Sequence, residues 1–182
     1  EKLAGGRLQL VYAAHDASAR TTSLAMAISE ASPAFSVTET LVTYQDSTAS
    51  TQALVTGYVN ADAFKDVVSI LGPPRNSLAI LYSRGGRGSF RDTVEWVRNV
   101  HPLSEDTFLL QDVNDDGIPD MIFVDTIRRA VVVLYGQEGG GFRPPITVCP
   151  ADGVNSIRLA SLRKGASHDL ILSNTRRCVA TI

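Results

Sequence analysis

Residues 112–120 read Asp-Val-Asn-Asp-Asp-Gly-Ile-Pro-Asp, five carboxylate or amide side chains in nine positions. Apolar runs flank them, Phe108-Leu109-Leu110 before and Met121-Ile122-Phe123-Val124 after. Carboxylates at that density repel one another unless something neutralises them, and a hard divalent cation is the first candidate. Asp112, Asn114, Asp116 and Gly117 match positions 1, 3, 5 and 6 of a calcium loop of the helix-loop-helix kind, but position 12 is Phe123, which cannot ligate. The carboxylate comes at position 9 instead, as Asp120. The flanks have strand length rather than helical periodicity, so the stretch predicts an oxygen-rich cage on a β-hairpin. An Asx-rich turn without metal uses the same residue types, and both readings stand at this point.

The stretch belongs to a repeat. YVNADAFKDVVSILGPPRNSLAILYSRGGRGSF (58–90) aligns with DVNDDGIPDMIFVDTIRRAVVVLYGQEGGGF (112–142). Asn60, Asp62 and Asp66 fall on Asn114, Asp116 and Asp120, Leu81-Tyr82 on Leu134-Tyr135, and Phe90 on Phe142. Fainter copies flank these: an upstream one ends on Phe35, and a downstream one, SLRKGASHD, places Asp169 where Asp120 sits. Within each unit, short apolar runs such as TFLLQ, MIFVD, AVVVLY and PITVC alternate with Gly, Pro, Asn and Asp clusters. RDTVEWVRNV (91–100) fits the repeat as an outer strand better than as a helix.

Four strands per unit of about 50 residues is the period of a β-propeller blade. The expected fold is therefore all-β: four-stranded antiparallel blades with approximate units 1–48, 49–101, 102–150 and 151–182. About fourteen strands are expected, three, four, four and three per unit, or roughly three and a half blades. That number cannot close a ring by itself. The sequence also opens on Glu1, so the expectation is a piece of a longer chain, or a ring completed by another subunit.

The order D-x-N-x-D-G-x-x-D, strand, turn, a second strand ending in Val-Leu-Tyr-Gly, and a Gly-rich turn closing on Phe142 resembles the FG-GAP/VCBS repeat of integrin-α-like propellers. The resemblance covers nearly the whole chain as architecture and residues 107–148 closely. It implies Ca²⁺ as the cation. Asp112, Asn114, Asp116 and Asp120 would supply side-chain oxygens, Ile118 a backbone carbonyl, and Gly117 the sharp turn. The second loop keeps Asn60, Asp62 and Asp66, but Tyr58 replaces the first Asp, Ala63 replaces the Gly, and Lys65 adds a positive charge. The last loop keeps only Asp169, with Lys164 and His168 beside it, and reads as a turn.

Other classes are poorly supported. At 44% hydrophobic and 20% charged with net charge −2, the composition argues against disorder and against a charge-driven nucleic-acid binder. No run reaches membrane-spanning length. There is no G-x-S-x-G elbow, H-E-x-x-H, phosphate-binding Gly loop or paired C-x-x-C, and His15, His101 and His168 share no motif. RGGRGSFR (84–91) aligns with GQEGGGFR (136–143) and reads as a hairpin turn rather than a nucleic-acid segment. Trp96 reads as packing between blades. Cys149 and Cys178 allow one disulfide without requiring it.

One further pattern concerns arginine, which makes up 14 of the 17 basic residues. The turn between the second and third strands of each unit carries Arg20, Arg75, Arg128 with Arg129, or Arg176 with Arg177. In a propeller these turns lie on the face opposite the calcium loops, where a ring of guanidinium groups would meet carboxylate, sulfate or phosphate; a set of ordinary soluble turns is the alternative.

The expected function is that of a Ca²⁺-stabilised, non-catalytic propeller module for extracellular adhesion or protein contact, with a protein or glycan ligand on its face. The alternatives are the propeller portion of a larger secreted enzyme of lyase or phospholipase type, a carbohydrate-binding propeller, and an intracellular scaffold.

Overall fold

A computed structural model describes residues 8–16, 18–29, 35–45, 51–85, 89–162 and 168–174. The protein is all-β, with thirteen strands and one short 3-10 turn, Glu105–Thr107, among the described residues. The first sheet holds β1 (Leu8–Asp16), β2 (Thr21–Ser29) and β3 (Phe35–Gln45). The second holds β4 (Thr51–Gly57), β5 (Asp66–Leu71), β6 (Ser77–Ser83) and β7 (Phe90–Arg98). The third holds β8 (Phe108–Gln111), β9 (Asp120–Asp125), β10 (Ala130–Leu134) and β11 (Ile146–Pro150). The last pairs β12 (Val154–Ala160) with β13 (Asp169–Asn174). A third strand of the last unit would fall on 175–182, outside the described residues.

Every sheet is an antiparallel meander in which chain neighbours pair, so short hairpin connections suffice. The four sheets are separate and open; no closed barrel or ring forms among the described residues. The stretch 91–100 lies mostly in β7, as an outer strand. The 84–89 turn joins β6 to β7 and closes through the Arg84 N–H on Ser89 O at 2.8 Å.

The sheets stack through alternate faces of their inner strands, the period-2 consequence of the pleat. Val68 and Ile70 of β5 with Leu78 and Ile80 of β6 pack against Met121 and Phe123 of β9 with Val132 and Leu134 of β10. On the other face of the third sheet, Ile122, Val124, Val131 and Val133 meet Val154 and Ile157 of the last sheet. On the other face of the second sheet, Val67, Leu71, Ala79 and Leu81 meet Leu24 and Tyr44 of the first. This is why β5 and β9 are apolar without alternation: all six residues of each are buried, against a neighbouring sheet on both sides. The outer strands show the reverse, and β11 is largely exposed. Trp96 packs at the junction of the first and second sheets, its ring edge-on to Tyr44 with centroids 5.4 Å apart.

Phe123 is fully buried and stacks on its cross-strand partner Phe108, with centroids 5.8 Å apart. Phe123→Ala is expected to lose about 3–5 kcal/mol, while Val148→Ala on exposed β11 should change stability by less than about 0.5 kcal/mol. Urea unfolding of the two variants checks the difference.

Candidate functional site: the 112–120 loop and its equivalents

The β8–β9 loop and the β10–β11 turn lie at one end of the third sheet, and the β9–β10 turn lies at the other, because the meander alternates direction. At the loop end, the central feature is Asp120, a fully buried carboxylate on the first residue of β9. Its Oδ2 accepts the Val113 N–H at 3.0 Å, and its Oδ1 accepts the Gly136 N–H at 2.8 Å. One side chain thus ties the start of the loop to the end of β10. Asp66 makes the same pair of bonds in the second sheet, from Val59 N–H at 3.0 Å and Ser83 N–H at 2.8 Å. In the last sheet Asp169 accepts the Leu162 N–H at 3.0 Å. The seven-residue reach back is identical in all three.

The remainder of the 112–120 loop is a web of Asx bonds. Asp112 Oδ2 accepts the Gly117 N–H at 2.8 Å, and Oδ1 accepts those of Asn114 and Asp116, both at 3.3 Å. Asp116 Oδ1 accepts the Ile118 N–H at 2.8 Å, and Oδ2 accepts Asn114 Nδ2 at 2.9 Å. Asp115 and Gly117 take φ of 60° and 83°, the left-handed region that lets the chain wrap around the first carboxylate. The second loop repeats part of the web: Phe64 N–H donates to Asp62 Oδ1 at 2.8 Å and Asn60 Nδ2 to Asp62 Oδ2 at 2.8 Å. It lacks the first carboxylate, which is Tyr58, and neither Ala61 nor Ala63 has positive φ.

A second shared contact joins each loop to its sheet. The side chain at loop position 7 lies over a glycine of the following turn. A Cβ on Gly136 would stand 2.6 Å from Ile118 Cγ2 and 2.5 Å from Pro119 O, and one on Gly85 would stand 2.1 Å from Phe64 Cζ. Space requires glycine at Gly136, where the backbone oxygen of Pro119 stands in the way, and the φ of 71° favours it at Gly85.

The donor chemistry of the 112–120 loop suits a hard cation, since Asp112, Asn114, Asp116 and Asp120 offer only oxygen and Ile118 a carbonyl. Burial pushes the Asp120 carboxyl above the ordinary carboxylate range, and the charges of Asp116 and Asp112 add to that push, a strain that positive charge relieves. The oxygens are occupied by N–H donors as described, and no three His, Cys, Asp or Glu residues among those described converge as a metal-holding group. Asp66 is also pushed up, by burial first and by Asp62 in lesser part, against the N–H bonds that pull it down.

At the turn end the arginines are engaged locally. Arg128 donates from Nη1 to Asp125 Oδ2 at 2.7 Å and to Asn99 O at 3.2 Å, and Arg129 pairs with Asp152. Arg75 lies over the rings of Tyr44 and Trp96, 5.9 and 5.6 Å from their centroids. Arg20 closes the β1–β2 turn at φ 54°. Arg176, Arg177 and Cys178 lie outside the described residues; Cys149 is half-buried with a free thiol.

The sequence reading passed over Asp125. It is fully buried at the end of β9, and its carboxylate accepts the N–H groups of His101, Ile127 and Arg128 besides the Arg128 guanidinium. It thereby ties the connector after β7 to the β9–β10 turn. Asp16 caps the β1–β2 turn similarly, through Ser18 and Ala19 N–H groups. The signal was present as D-x-x-x-R, Asp16 to Arg20 and Asp125 to Arg129, with both arginines at positive φ.

No family model, curated protein or solved structure matches this chain.

Asp66→Ala and Asp120→Ala each orphan two N–H groups, and each is expected to cost about 1–3 kcal/mol with or without Ca²⁺, as measured by urea unfolding in EDTA. The pH dependence has opposite signs at the two ends of β9. Asp120, raised, contributes most below the unfolded carboxylate value of about 3.9 and less as pH rises through its folded value. For Asp125, burial pushes the carboxyl up, but the Arg128 and His101 bonds outweigh it and hold the group below its ordinary value. Its contribution is present above about 3.9 and is lost as pH falls through the folded value. Asp125→Asn should therefore be less stable than the parent at neutral pH, with the gap narrowing on acidification from about pH 5 to 2 in pH-resolved thermal melts.

Proposed function

We propose that this chain is a non-catalytic binding module, a segment of an FG-GAP/VCBS-type β-propeller stabilised by Ca²⁺ in the 112–120 loop. The observation that carries this reading is the recurrence of one buried-aspartate bond, at the same seven-residue reach, in three successive meander sheets. Two four-stranded sheets stacked between a three-stranded and a two-stranded one, each covered by the next, support this reading, because a propeller is built from such units in tandem. Further blades, from a longer chain or from another subunit, would complete the ring.

In this reading Asp112, Asn114, Asp116 and Asp120 hold the cation with the Ile118 carbonyl. Bound Ca²⁺ would neutralise the crowded carboxylates and cross-link the loop. The second loop, with Asn60, Asp62 and Asp66, is the lesser site because it lacks the first carboxylate and the left-handed turn that surrounds it. A loop with few carboxylates suits the millimolar Ca²⁺ outside cells, which places the module in a secreted or surface setting. Its ligand is a protein or glycan met by the loop and turn ends, since the inner faces of the sheets are occupied by each other. No described helix is long and apolar enough to cross a membrane.

Thermal unfolding in EDTA, in Mg²⁺ and in Ca²⁺ tests the cation, with Asp116→Ala as control. At a concentration of about 100 Kd, Ca²⁺ should add roughly 2.7 kcal/mol, or about 2–4 °C per kcal/mol for a chain of this size. Asp116→Ala should lose the response; Asp120→Ala should lose it too and should also weaken the metal-free protein through its two lost N–H bonds. An identical melting temperature in EDTA and in saturating Ca²⁺ would sink the assignment.

A further inference from the structure

A cleft of about 270 Å³ opens at the loop end, where the second and third sheets meet. Asn60, Asp62, Tyr82 and Arg91 border it from the second sheet, and Ile118 with the 137–140 turn borders it from the third. Ala61 and residues 138–140 are exposed, so the cleft is open to solvent. Both walls are held in place by their own bonds. On the second-sheet side, Asn60 Nδ2 donates to Asp62 Oδ2 at 2.8 Å, and Asp62 Oδ1 accepts the Phe64 N–H at 2.8 Å. The Tyr82 hydroxyl donates to Glu95 Oε2 at 2.6 Å, which fixes the ring over which the Arg91 guanidinium lies, 4.9 Å from the centroid. On the third-sheet side, the turn closes on itself through Gln137 N–H to Gly141 O at 3.1 Å and Gly140 N–H to Gln137 O at 3.0 Å.

The unspent groups on the two walls differ in kind. Arg84, Arg128 and Arg129 each pair with a carboxylate, whereas Arg91 has neither an ion pair nor a hydrogen bond among the described residues. The ring beneath it sets its position, and its N–H groups are left to donate. The third-sheet wall carries Gln137 and Glu138, both exposed, whose side chains have no hydrogen bond among the described residues. An anion in the cleft would meet Asp62 and Glu138, and a cation would meet Arg91. A hydroxyl group meets neither penalty, because its lone pairs accept from the guanidinium and its hydrogen goes to a carboxylate. Ile118 adds an apolar contact suited to C–H groups. The volume lies just under the roughly 300–1,000 Å³ usual for sites of drug-sized ligands, so the occupant is one small ring.

We propose that this cleft binds a single neutral, polyhydroxylated sugar ring, with its hydroxyls shared between Arg91 and Glu138 and its C–H face on Ile118. The rest of a glycan leaves through the open side. The proposal rests on the binding-module reading and names its ligand; the cleft itself needs neither Ca²⁺ nor a closed propeller. Amide NMR shifts of the whole chain test it, in EDTA, with the methyl glycosides of glucose, galactose, mannose and N-acetylglucosamine as probes. Glucuronate and glucosamine serve as charged controls at about pH 6, where the amine is protonated. At least one glycoside should saturably shift the amides of 60–62 and 137–140, with a Kd on the order of millimolar for so small a ligand. Arg91→Ala should weaken that binding about tenfold, the loss of a hydrogen bond to a charged group, and Glu138→Ala should do the same. Both positions are exposed, and melting temperatures equal to the parent's confirm that the variants fold. Both charged sugars should bind more weakly than the best neutral one. The proposal is overturned if no glycoside shifts these amides, if either charged sugar binds as tightly as the best neutral one, or if either variant binds like the parent. A Ca²⁺-dependent melting temperature without glycoside shifts overturns the sugar site and leaves the cation reading in place. Glycoside shifts without any Ca²⁺ response do the reverse.

Discussion

A carboxylate buried at the first residue of a strand is the constraint on which the second, third and last sheets depend. Asp66 and Asp120 sit where no water reaches them, which by itself disfavours the charged form. Two backbone N–H groups, one from the loop behind and one from the end of the next strand or just past it, offset that cost. The geometry demands two acceptor oxygens on a short stem. Asparagine would turn one of them into a donor facing a donor, and glutamate would add a methylene to a site already in contact on all sides. Because the bonds fix three strand ends at once, they also fix where the loop begins and where the next turn starts. The glycine contacts beneath Ile118 and Phe64 follow from that placement.

The second constraint is burial from both sides. The inner strands of the second and third sheets are buried on both faces, and apart from Ser69 their polar side chains stand at the two ends of the stack. The ends differ in what they do with charge. At the loop end, the carboxylates of the 112–120 loop are met chiefly by N–H donors. At the turn end each well-placed arginine already has work within the fold: Arg128 on Asp125, Arg129 on Asp152, Arg75 on two aromatic rings. An anionic ligand at that end would have to compete with Asp125, a buried carboxylate that cannot be left unpaired cheaply.

How much of this was legible in the sequence depends on how local each feature is. The strands were legible because inner runs such as DVVSIL and DMIFVD are short, apolar and bounded by turn residues. The equivalence of Asp66, Asp120 and Asp169 was legible as spacing, but its meaning was not. Ligand spacing and clamp spacing are the same spacing, and only the partners Gly136 and Ser83, sixteen and seventeen residues away, tell them apart. Asp125 went unread because it looks like any strand-end turn residue; its importance comes from His101, on a connector that periodicity does not place. Tyr82 was visible as part of a repeated Leu-Tyr pair, yet nothing local shows that its hydroxyl reaches Glu95. Arg128 and Arg129 were read as a rim because charge pattern shows where arginines fall and not which carboxylates they meet.

The two loops together separate what hydrogen bonds supply from what a cation can add. The 58–66 loop has no first carboxylate and no left-handed turn, yet it keeps the Asn60–Asp62 web, the position-7 anchor and the Asp66 clamp. The course of the chain between inner strands is thus set by those shared bonds. What the 112–120 loop has in addition is Asp112 wrapped by three N–H donors, and a third side-chain carboxylate close to two others. That addition gives the loop three more hydrogen bonds, while the Asp112 charge adds the smallest of the pushes that raise the Asp120 carboxyl. In the proposed reading, a cation would be laid over a scaffold that already holds itself through its hydrogen bonds. Calcium in such a loop would act by mass action on a preformed hairpin rather than by creating the hairpin.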